Sequence, residues 1–159
     1  MTKTGIDDID RNLLRAIQRD ASLTTDALAG LVGASPSAVQ RRLARLKKEG
    51  VLVGQVAVIR ANLVGQSQTF VVGVEIERKR VDLYAAFRQW LDRTEEVQQA
   101  YNVTGASDFI LIVTAASIEQ YDALMEEMLK ENPNVKKFVT SAVLQTYKRS
   151  LFTPVQHGV

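Results

Sequence analysis

The first third of the chain places its hydrophobic residues at helical spacing. Between residues 6 and 17 they recur every three or four positions, which is typical of an amphipathic helix. Asp7 is suited to the N-cap, and Asp8 and Asp10 fall in the first turn, where the helix dipole favours acidic side chains. The hydrophobic stripe consists of Ile6, Ile9, Leu13 and Ile17.

Two further helices follow, separated by a tight turn. The second begins at Thr24 or Thr25 and ends at Gly33, since glycine readily adopts the left-handed conformation that closes a helix. Ser35 caps the third helix, and Pro36 occupies its first position, where a missing N–H costs nothing. The third helix runs to about residue 50, so the spacing is that of a helix-turn-helix unit.

The third helix has an apolar side and a basic side. Val39, Leu43 and Leu46 share the apolar side and are expected to pack on the first two helices. On the other side, arginine and glutamine can pair with guanine and adenine in the major groove, and further bases can neutralise phosphates. Ser37, Arg41, Arg45 and Lys48 face this way, with Gln40 and Arg42 on the flanks. The predicted DNA-binding residues are Ser35, Ser37, Gln40, Arg41, Arg42, Arg45 and Lys48.

Basic charge is concentrated in this helix. The whole chain has a net charge of only +2, but residues 1–50 carry nine basic and six acidic side chains. A local basic block can neutralise phosphates even in a nearly balanced protein. A solvated helix face is the alternative, and the capped turn before the helix favours DNA contact. The block consists of Arg41, Arg42, Arg45, Lys47 and Lys48.

Beyond residue 50 the pattern changes from purely helical to mixed. The valine-rich residues 51–59 predict a strand, and the polar stretch 60–69 is the best domain boundary. The order βαββαβ then predicts a ferredoxin-like half, with one antiparallel sheet and both helices on one face. Its elements are strand 70–76, helix 81–93, strands 97–104 and 108–113, a helix from Ile118 that ends at Asn132-Pro133, and strand 136–148.

A sheet with helices on one face leaves its other face uncovered. Its candidate side chains are too apolar to face water as a broad patch, so we expect dimerisation through this face. The candidates are Phe70 or Val71, Tyr101, and Phe138 or Val139.

Composition narrows the chemistry. Among 159 residues, 46% are hydrophobic and 24% charged, as in an ordinary folded protein. There is no cysteine, and the one histidine, His157, lies in the C-terminal tail, where we expect it to be solvated. We therefore expect no metal, no cofactor and no enzymatic activity. No stretch is long and apolar enough for a membrane span, no secretory signal is evident, and the predicted location is the cytoplasm.

Residues 7–64 resemble the DNA-binding half of the Lrp/AsnC (feast/famine) family of transcriptional regulators. The matching segments are residues 7–14, Leu28-Ala29, residues 35–39, Arg41-Arg42-Leu43, Leu46 and Glu49-Gly50-Val51-Leu52. The resemblance implies a helix-turn-helix, winged-helix-like domain joined to the ferredoxin-like domain by a hinge strand that pairs across a dimer. It also implies higher oligomers, a double-stranded DNA partner with imperfect two-fold symmetry, and a small amino-acid effector bound between dimers.

The same resemblance suggests an effector site. Val103-Thr104-Gly105-Ala106-Ser107-Asp108-Phe109 is similar to the family's Val-Thr-Gly-x-x-Asp-Tyr loop, near which effectors bind. Glycine permits close backbone approach, and a carboxylate can accept hydrogen bonds from an ammonium group. The alternative is a hairpin glycine with a turn aspartate. The predicted effector residues are Thr104, Gly105, Ala106, Asp108 and Thr140; Phe138 stands where the family often has a hydroxyl residue.

Two other functions are considered. An architectural DNA-coating protein without an effector fits the Phe138 departure. Some tetrapyrrole decarboxylases resemble this two-domain fold, but they use histidine inside the pocket, and here the histidine is in the tail. The predicted α+β division is a helix-turn-helix domain (1–50), a hinge strand and linker (51–69), a ferredoxin-like effector-binding and oligomerisation domain (70–150), and a tail (151–159).

Overall fold

The computed structural model describes residues 5–78 and 81–156 of the chain. They form two compact units. One comprises the chain up to Val58 together with the segment from Lys148 onward, and the other spans Ile59–Tyr147. The chain thus leaves the first unit, builds the second, and returns to the first. His157, expected to be solvated, lies outside the described residues.

The first unit is built from helices α1 (Asp8–Arg19), α2 (Thr25–Val32) and α3 (Pro36–Lys48). The predicted caps are confirmed: Asp7 forms a capping box with Asp10, and Ser35 accepts a hydrogen bond from the Ala38 N–H. Helix α2 is capped by Thr24 and ends at Gly33, whose φ of 65° lies in the left-handed region that suits glycine. Local sequence signals therefore set both ends of the turn.

The core of the helical unit lies where the three helices meet. Each helix contributes fully or nearly fully buried aliphatic side chains. The most buried are Leu13 of α1, Leu28 of α2, and Val39 and Leu46 of α3. This core fixes which face of α3 points outward.

The C-terminal segment packs on α1. Gln18 accepts a hydrogen bond from the Thr153 N–H at 2.7 Å and donates one to the Thr153 carbonyl at 3.2 Å. Arg15 donates to the carbonyl of Val155 at 2.7 Å, and the Val155 side chain joins the helical core. The described part of the tail is therefore held in place by the helical unit.

The predicted hinge strand at residues 51–59 is not a strand in this single chain. A strand requires a backbone partner, and in the described part of the chain none lies alongside this segment. Its valines are exposed, Val53 by 93% and Val58 by 86%. A short 3₁₀ helix, Ala61–Val64, then leads into the second unit.

The second unit has the predicted βαββαβ order, and its ferredoxin-like topology is confirmed. The elements are β1 (Gln68–Ile76), α4 (Val81–Arg93), β2 (Val97–Asn102), β3 (Phe109–Ala115), α5 (Ile118–Glu131) and β4 (Val135–Ala142). The sheet order is β2-β3-β1-β4, with all neighbours antiparallel. Strand β4 ends at Ala142, not at residue 148 as predicted, because its partner β1 begins at Gln68 and offers residues 144–148 no backbone partner.

The two faces of the sheet differ. Phe70 points into a core formed with α4 and α5, and Phe138 packs against the same core. Val71, Tyr101 and Val139 occupy the other face, which resolves the alternatives left by the sequence. Tyr101 and Val139 are 52% and 62% exposed, so this face carries apolar surface without a helix to cover it.

Candidate DNA-binding face and effector loop

Helix α3 presents one polar, exposed face. The helical core holds Val39 and Leu46 on the inner side, so residues about half a turn away point outward. Ser35 and Ser37 lie at the N-terminal end of this face, with their hydroxyl oxygens 3.1 Å apart. The exposed members of the face are Ser35, Ser37, Gln40, Arg41, Ala44, Lys47 and Lys48.

Arg42 and Arg45, both predicted to contact DNA, point toward α1. Arg42 Nη1 lies 2.6 Å from Asp7 Oδ2 and 2.9 Å from Asp10 Oδ1. Arg45 donates through Nη2 to the other oxygen of Asp10 and through Nη1 to the Gly5 carbonyl. Asp10 is fully buried, and a buried carboxylate is stable only when it is paired. The arginines therefore join α3 to α1. For Arg45 this differs from the outward position predicted from the helical wheel, whereas Arg42 was expected on the flank.

The ion pair between Asp7 and Arg42 shifts the pKa values of both side chains. The pKa of Asp7 is lowered, mainly by the hydrogen bond from the Asp10 N–H and further by Arg42. The pKa of Arg42 is raised by its hydrogen bonds to Asp7 and Asp10. Both shifts favour the charged forms, so the contact between α1 and α3 is electrostatic as well as apolar.

The remaining exposed face can do what DNA recognition requires. Gln40 and Arg41 carry side chains able to make paired hydrogen bonds to base edges. Lys47 and Lys48, in the last turn, can neutralise phosphates. Lys47 belongs to the basic run but is absent from the predicted site; its exposed position on this face comes from the structure.

The predicted effector loop follows β2. Thr104, Gly105 and Ala106 are exposed. Gly105 has a φ of 123°, a backbone conformation that would be strained in a residue with a side chain. Asp108 is different, because it is buried and its Oδ2 accepts a hydrogen bond from the Ile76 N–H at 2.9 Å. The Asp108 N–H donates to the Val74 carbonyl at 2.9 Å. Asp108 thus provides hydrogen-bond partners for the backbone of β1 just beyond the first residue of β3.

Thr140 does not join the loop in the single chain. It pairs with Val72 in the sheet, and β1 separates it from the loop. Its Oγ1 lies 2.5 Å from the Tyr121 hydroxyl of α5. Burial raises the pKa of Tyr121, so this phenol stays protonated and can donate at neutral pH. The structure therefore engages Thr140 with α5 and keeps it apart from Thr104–Ala106.

Other kinds of site find no support in the described residues. Over residues 5–78 and 81–156, no cluster of three or more histidine, aspartate or glutamate side chains could hold a metal ion. Over the same ranges, no helix has the length and apolar character needed to cross a membrane.

Comparison with known proteins identifies both units. Residues 6–53 match the family of winged helix-turn-helix DNA-binding domains, and residues 69–151 match the Lrp/AsnC ligand-binding domain. An HTH-type transcriptional regulator of Sinorhizobium fredii, y4tD, is 39% identical over 151 residues, covering 95% of this chain and 89% of the relative. The leucine-responsive regulatory protein of Escherichia coli K12 is 28% identical over 145 residues, covering 91% and 88%.

Solved structures give the same result. A transcriptional regulator of Neisseria meningitidis in complex with L-Met superposes with a TM-score of 0.86 at 25% identity, covering 93% of this chain and 96% of that chain. The feast or famine regulatory protein of Mycobacterium tuberculosis, complexed with L-methionine, gives 0.83 at 30% identity, covering 93% and 98%. With an amino-terminal DNA-binding domain and a carboxy-terminal ligand-binding domain matched along nearly its whole length, the chain belongs to the Lrp/AsnC family of transcriptional regulators.

Proposed function

We propose that the exposed face of α3 reads double-stranded DNA, with Gln40 and Arg41 at base edges and Lys47 and Lys48 on phosphates. The observation that carries this proposal is the division of the arginines. Arg42 and Arg45 are engaged with Asp10, while Arg41 is exposed on the face that the core turns outward. Ser35 and Ser37, at the start of the helix, are placed to contact the DNA backbone.

The regulator acts as a dimer or a higher assembly of dimers. The uncovered sheet face, with Val71, Tyr101 and Val139, supplies one apolar surface for association. Residues 51–59 supply a second, because exposed valines and unpaired backbone can form a strand with a second copy. Two copies of α3 would read an imperfect palindrome. The protein would act in the cytoplasm.

The second unit binds a small amino acid as effector. Relatives from Neisseria meningitidis and Mycobacterium tuberculosis were solved with L-methionine, and the match to a ligand-binding domain spans residues 69–151. Thr104, Gly105 and Ala106 expose backbone and a hydroxyl group that could hold the ligand, with Asp108 fixing the loop from behind. Thr140 would complete the site from a neighbouring copy, since within one chain β1 lies between it and the loop.

DNA binding is tested by fluorescence anisotropy. The probe is a double-stranded DNA fragment that the protein has selected from a pool of random sequences. Arg41→Ala is expected to lower affinity about tenfold or more and to relax sequence preference if it reads a base. Lys130→Ala, which removes an exposed charge from α5 in the other unit, is the matched control and should change nothing. Equal loss in both variants would contradict a reading face on α3.

The effector is tested by thermal shift against the twenty amino acids, because a ligand that binds only the folded form raises the melting temperature. Thr104→Val, which removes one exposed hydroxyl, should abolish any shift without changing the melting temperature of the free protein. A shift that survives in this variant would contradict the loop as the site.

An architectural DNA-binding protein without an effector is the second candidate. It is favoured by Phe138, which packs against the core where the family resemblance leads us to expect a hydroxyl residue, and by Thr140, whose hydroxyl is already engaged by Tyr121. Broad footprints on DNA that no amino acid alters would support this function over the first.

A further inference from the structure

A groove of about 560 Å³ lies between helix α4 and strand β2 in the second unit. Strand β2 is an edge strand, so its outer side is open to solvent at this point. The volume falls within the range of about 300–1,000 Å³ that is usual for small-molecule sites. The groove adjoins the loop at residues 103–108 but contains none of the predicted effector residues.

Opposite charges line one wall of the groove. Arg88 and Asp92 are exposed and lie one turn apart on α4, which places them on the same face of the helix. Among the residues that the structure describes, neither forms an ion pair or a side-chain hydrogen bond. A cation and an anion on one face of a helix can bind the carboxylate and the ammonium group of a zwitterion.

The opposite wall offers an oriented acceptor. Asn102, at the end of β2, donates from Nδ2 to the Asp108 carbonyl at 2.9 Å. This hydrogen bond fixes the amide orientation, and the Asn102 Oδ1 has no hydrogen-bond partner within the described part of the chain. It can therefore accept a hydrogen bond from an ammonium group.

The floor of the groove is apolar. The rings of Tyr84 and Phe109 lie 5.4 Å apart at an interplanar angle of 45°. Leu91 adds an aliphatic side chain beside them. Such a surface buries an apolar side chain favourably, by about 25 cal/mol for each Å² removed from water.

We propose that this groove binds a free α-amino acid with an apolar side chain. Arg88 holds the carboxylate, Asp92 and the Asn102 Oδ1 hold the ammonium group, and the side chain lies against Tyr84 and Phe109. The groove is a second amino-acid site, separate from Thr104–Ala106 and Thr140. The proposed ligand is an amino acid, as in the proposed function. Binding in the groove, however, uses none of the residues that the proposed function assigns to the effector.

The test is isothermal titration of the full chain with L-leucine, L-methionine and L-phenylalanine, followed by amide chemical-shift mapping. Arg88→Gln and Asp92→Asn should each weaken binding about tenfold, the loss expected for one charge-assisted hydrogen bond. Methionine amide, which lacks the carboxylate, should bind the unaltered chain as weakly as L-methionine binds Arg88→Gln. Gln89→Ala, an exposed change on the same helix outside the groove, is the control and should have no effect.

Chemical shifts separate this site from the loop site. The side-chain amide of Asn102 and the backbone amide of Ala85 should move on titration, and both movements should be absent in Arg88→Gln. Unaltered affinity in Arg88→Gln and Asp92→Asn, with shifts confined to residues 104–106 and 140, would overturn the groove and leave the proposed function intact. Absence of binding by all three amino acids at millimolar concentration would also overturn the proposal that the groove is an amino-acid site. This result would not depend on whether the protein binds DNA.

Discussion

Arg42 and Asp10 are in direct contact across two helices, with Nη1 2.9 Å from Oδ1, and Asp10 has no solvent exposure. Arg45 donates to the second oxygen of the same carboxylate. One buried acid on α1 thus sets the position of two bases on α3. Arg41, Lys47 and Lys48 lie outside this cluster and are exposed, which is why the proposed DNA contacts are assigned to them.

Replacing Asp10 by Asn removes the charge that the two arginines share while keeping the size of the side chain. We expect the unfolding free energy of the helical unit to fall by about 2 kcal/mol, since hydrogen bonds to charged groups are worth about 1.5–3 kcal/mol. Urea denaturation followed by circular dichroism measures the change. Asp8→Asn, in the same turn but with an 85% exposed side chain, should cost about 0.5 kcal/mol or less. Similar losses in both variants would contradict the special role of Asp10.

Asp7 makes stability depend on pH in the acid range. Its pKa in the folded protein lies below the ordinary value of 3.8, so folding is favoured by its ionised form. This contribution is fully present above the unfolded pKa and is lost as the pH falls through the lower, folded pKa. Asp7→Asn should therefore flatten the acid limb of a stability profile recorded between about pH 2 and 6, while asparagine still caps α1. An acid limb identical in both proteins would refute this assignment.

The Asp108 carboxylate has a structural role, because it accepts a hydrogen bond from the backbone of β1. Asp108→Ala leaves the Ile76 N–H without its acceptor, so we expect a loss of about 1–3 kcal/mol in unfolding free energy. Asp108→Asn retains an acceptor oxygen and should cost less. Loss of effector response in the alanine variant alone would thus not identify a ligand contact. Chemical denaturation of the two variants measures the difference, and equal costs would contradict the backbone role.

Gly73 and Ser107 are coupled. A Cβ at Gly73 would lie 2.6 Å from Ser107 Oγ but 3.5 Å from its Cβ, so only the hydroxyl obstructs it. Gly73→Ala should cost about 1 kcal/mol with Ser107 present and should become neutral or stabilising in a Ser107→Ala background. A double-mutant cycle by thermal denaturation measures the coupling. Simple additivity would show that the loop does not rest on the sheet at this point.

Gln18 holds the C-terminal segment on α1 through the two backbone groups of Thr153. Gln18→Ala should increase hydrogen exchange of the Thr153 amide about tenfold, because its acceptor is removed. Exchange in the middle of α1 should stay unchanged. Gln40→Ala, exposed on α3, provides the control, and equal protection of Thr153 in all three proteins would mean that other contacts hold the tail.

The elements that follow from the sequence are those fixed by neighbours in the chain. Ser35, Pro36 and Gly33 set the turn before α3 through local hydrogen bonds and backbone preferences, and all three were placed correctly. The order of strands and helices in the second unit followed in the same way from hydrophobic periodicity.

The features that could not be predicted from the sequence depend on contacts between residues far apart in the chain. A wheel of α3 alone places Arg45 outward, because it contains no information about Asp10, 35 residues earlier, which the core buries beside it. The end of β4 is likewise set by where β1 begins, and residues 51–59 have no backbone partner among the described residues of the single chain. Thr140 was grouped with the effector loop by resemblance, although β1 runs between them.

The return of the chain to α1 has a consequence for truncation. Phe152, Thr153 and Val155 follow the sheet unit in the chain, yet they pack on the helical unit that precedes it. The sheet unit is therefore inserted, in sequence, within the helical unit. A stop codon introduced directly after codon 150 would remove no residue of the sheet and none of α3. Its effect would fall on the support of α1, because Gln18 and its partner Thr153 are 135 residues apart in the chain.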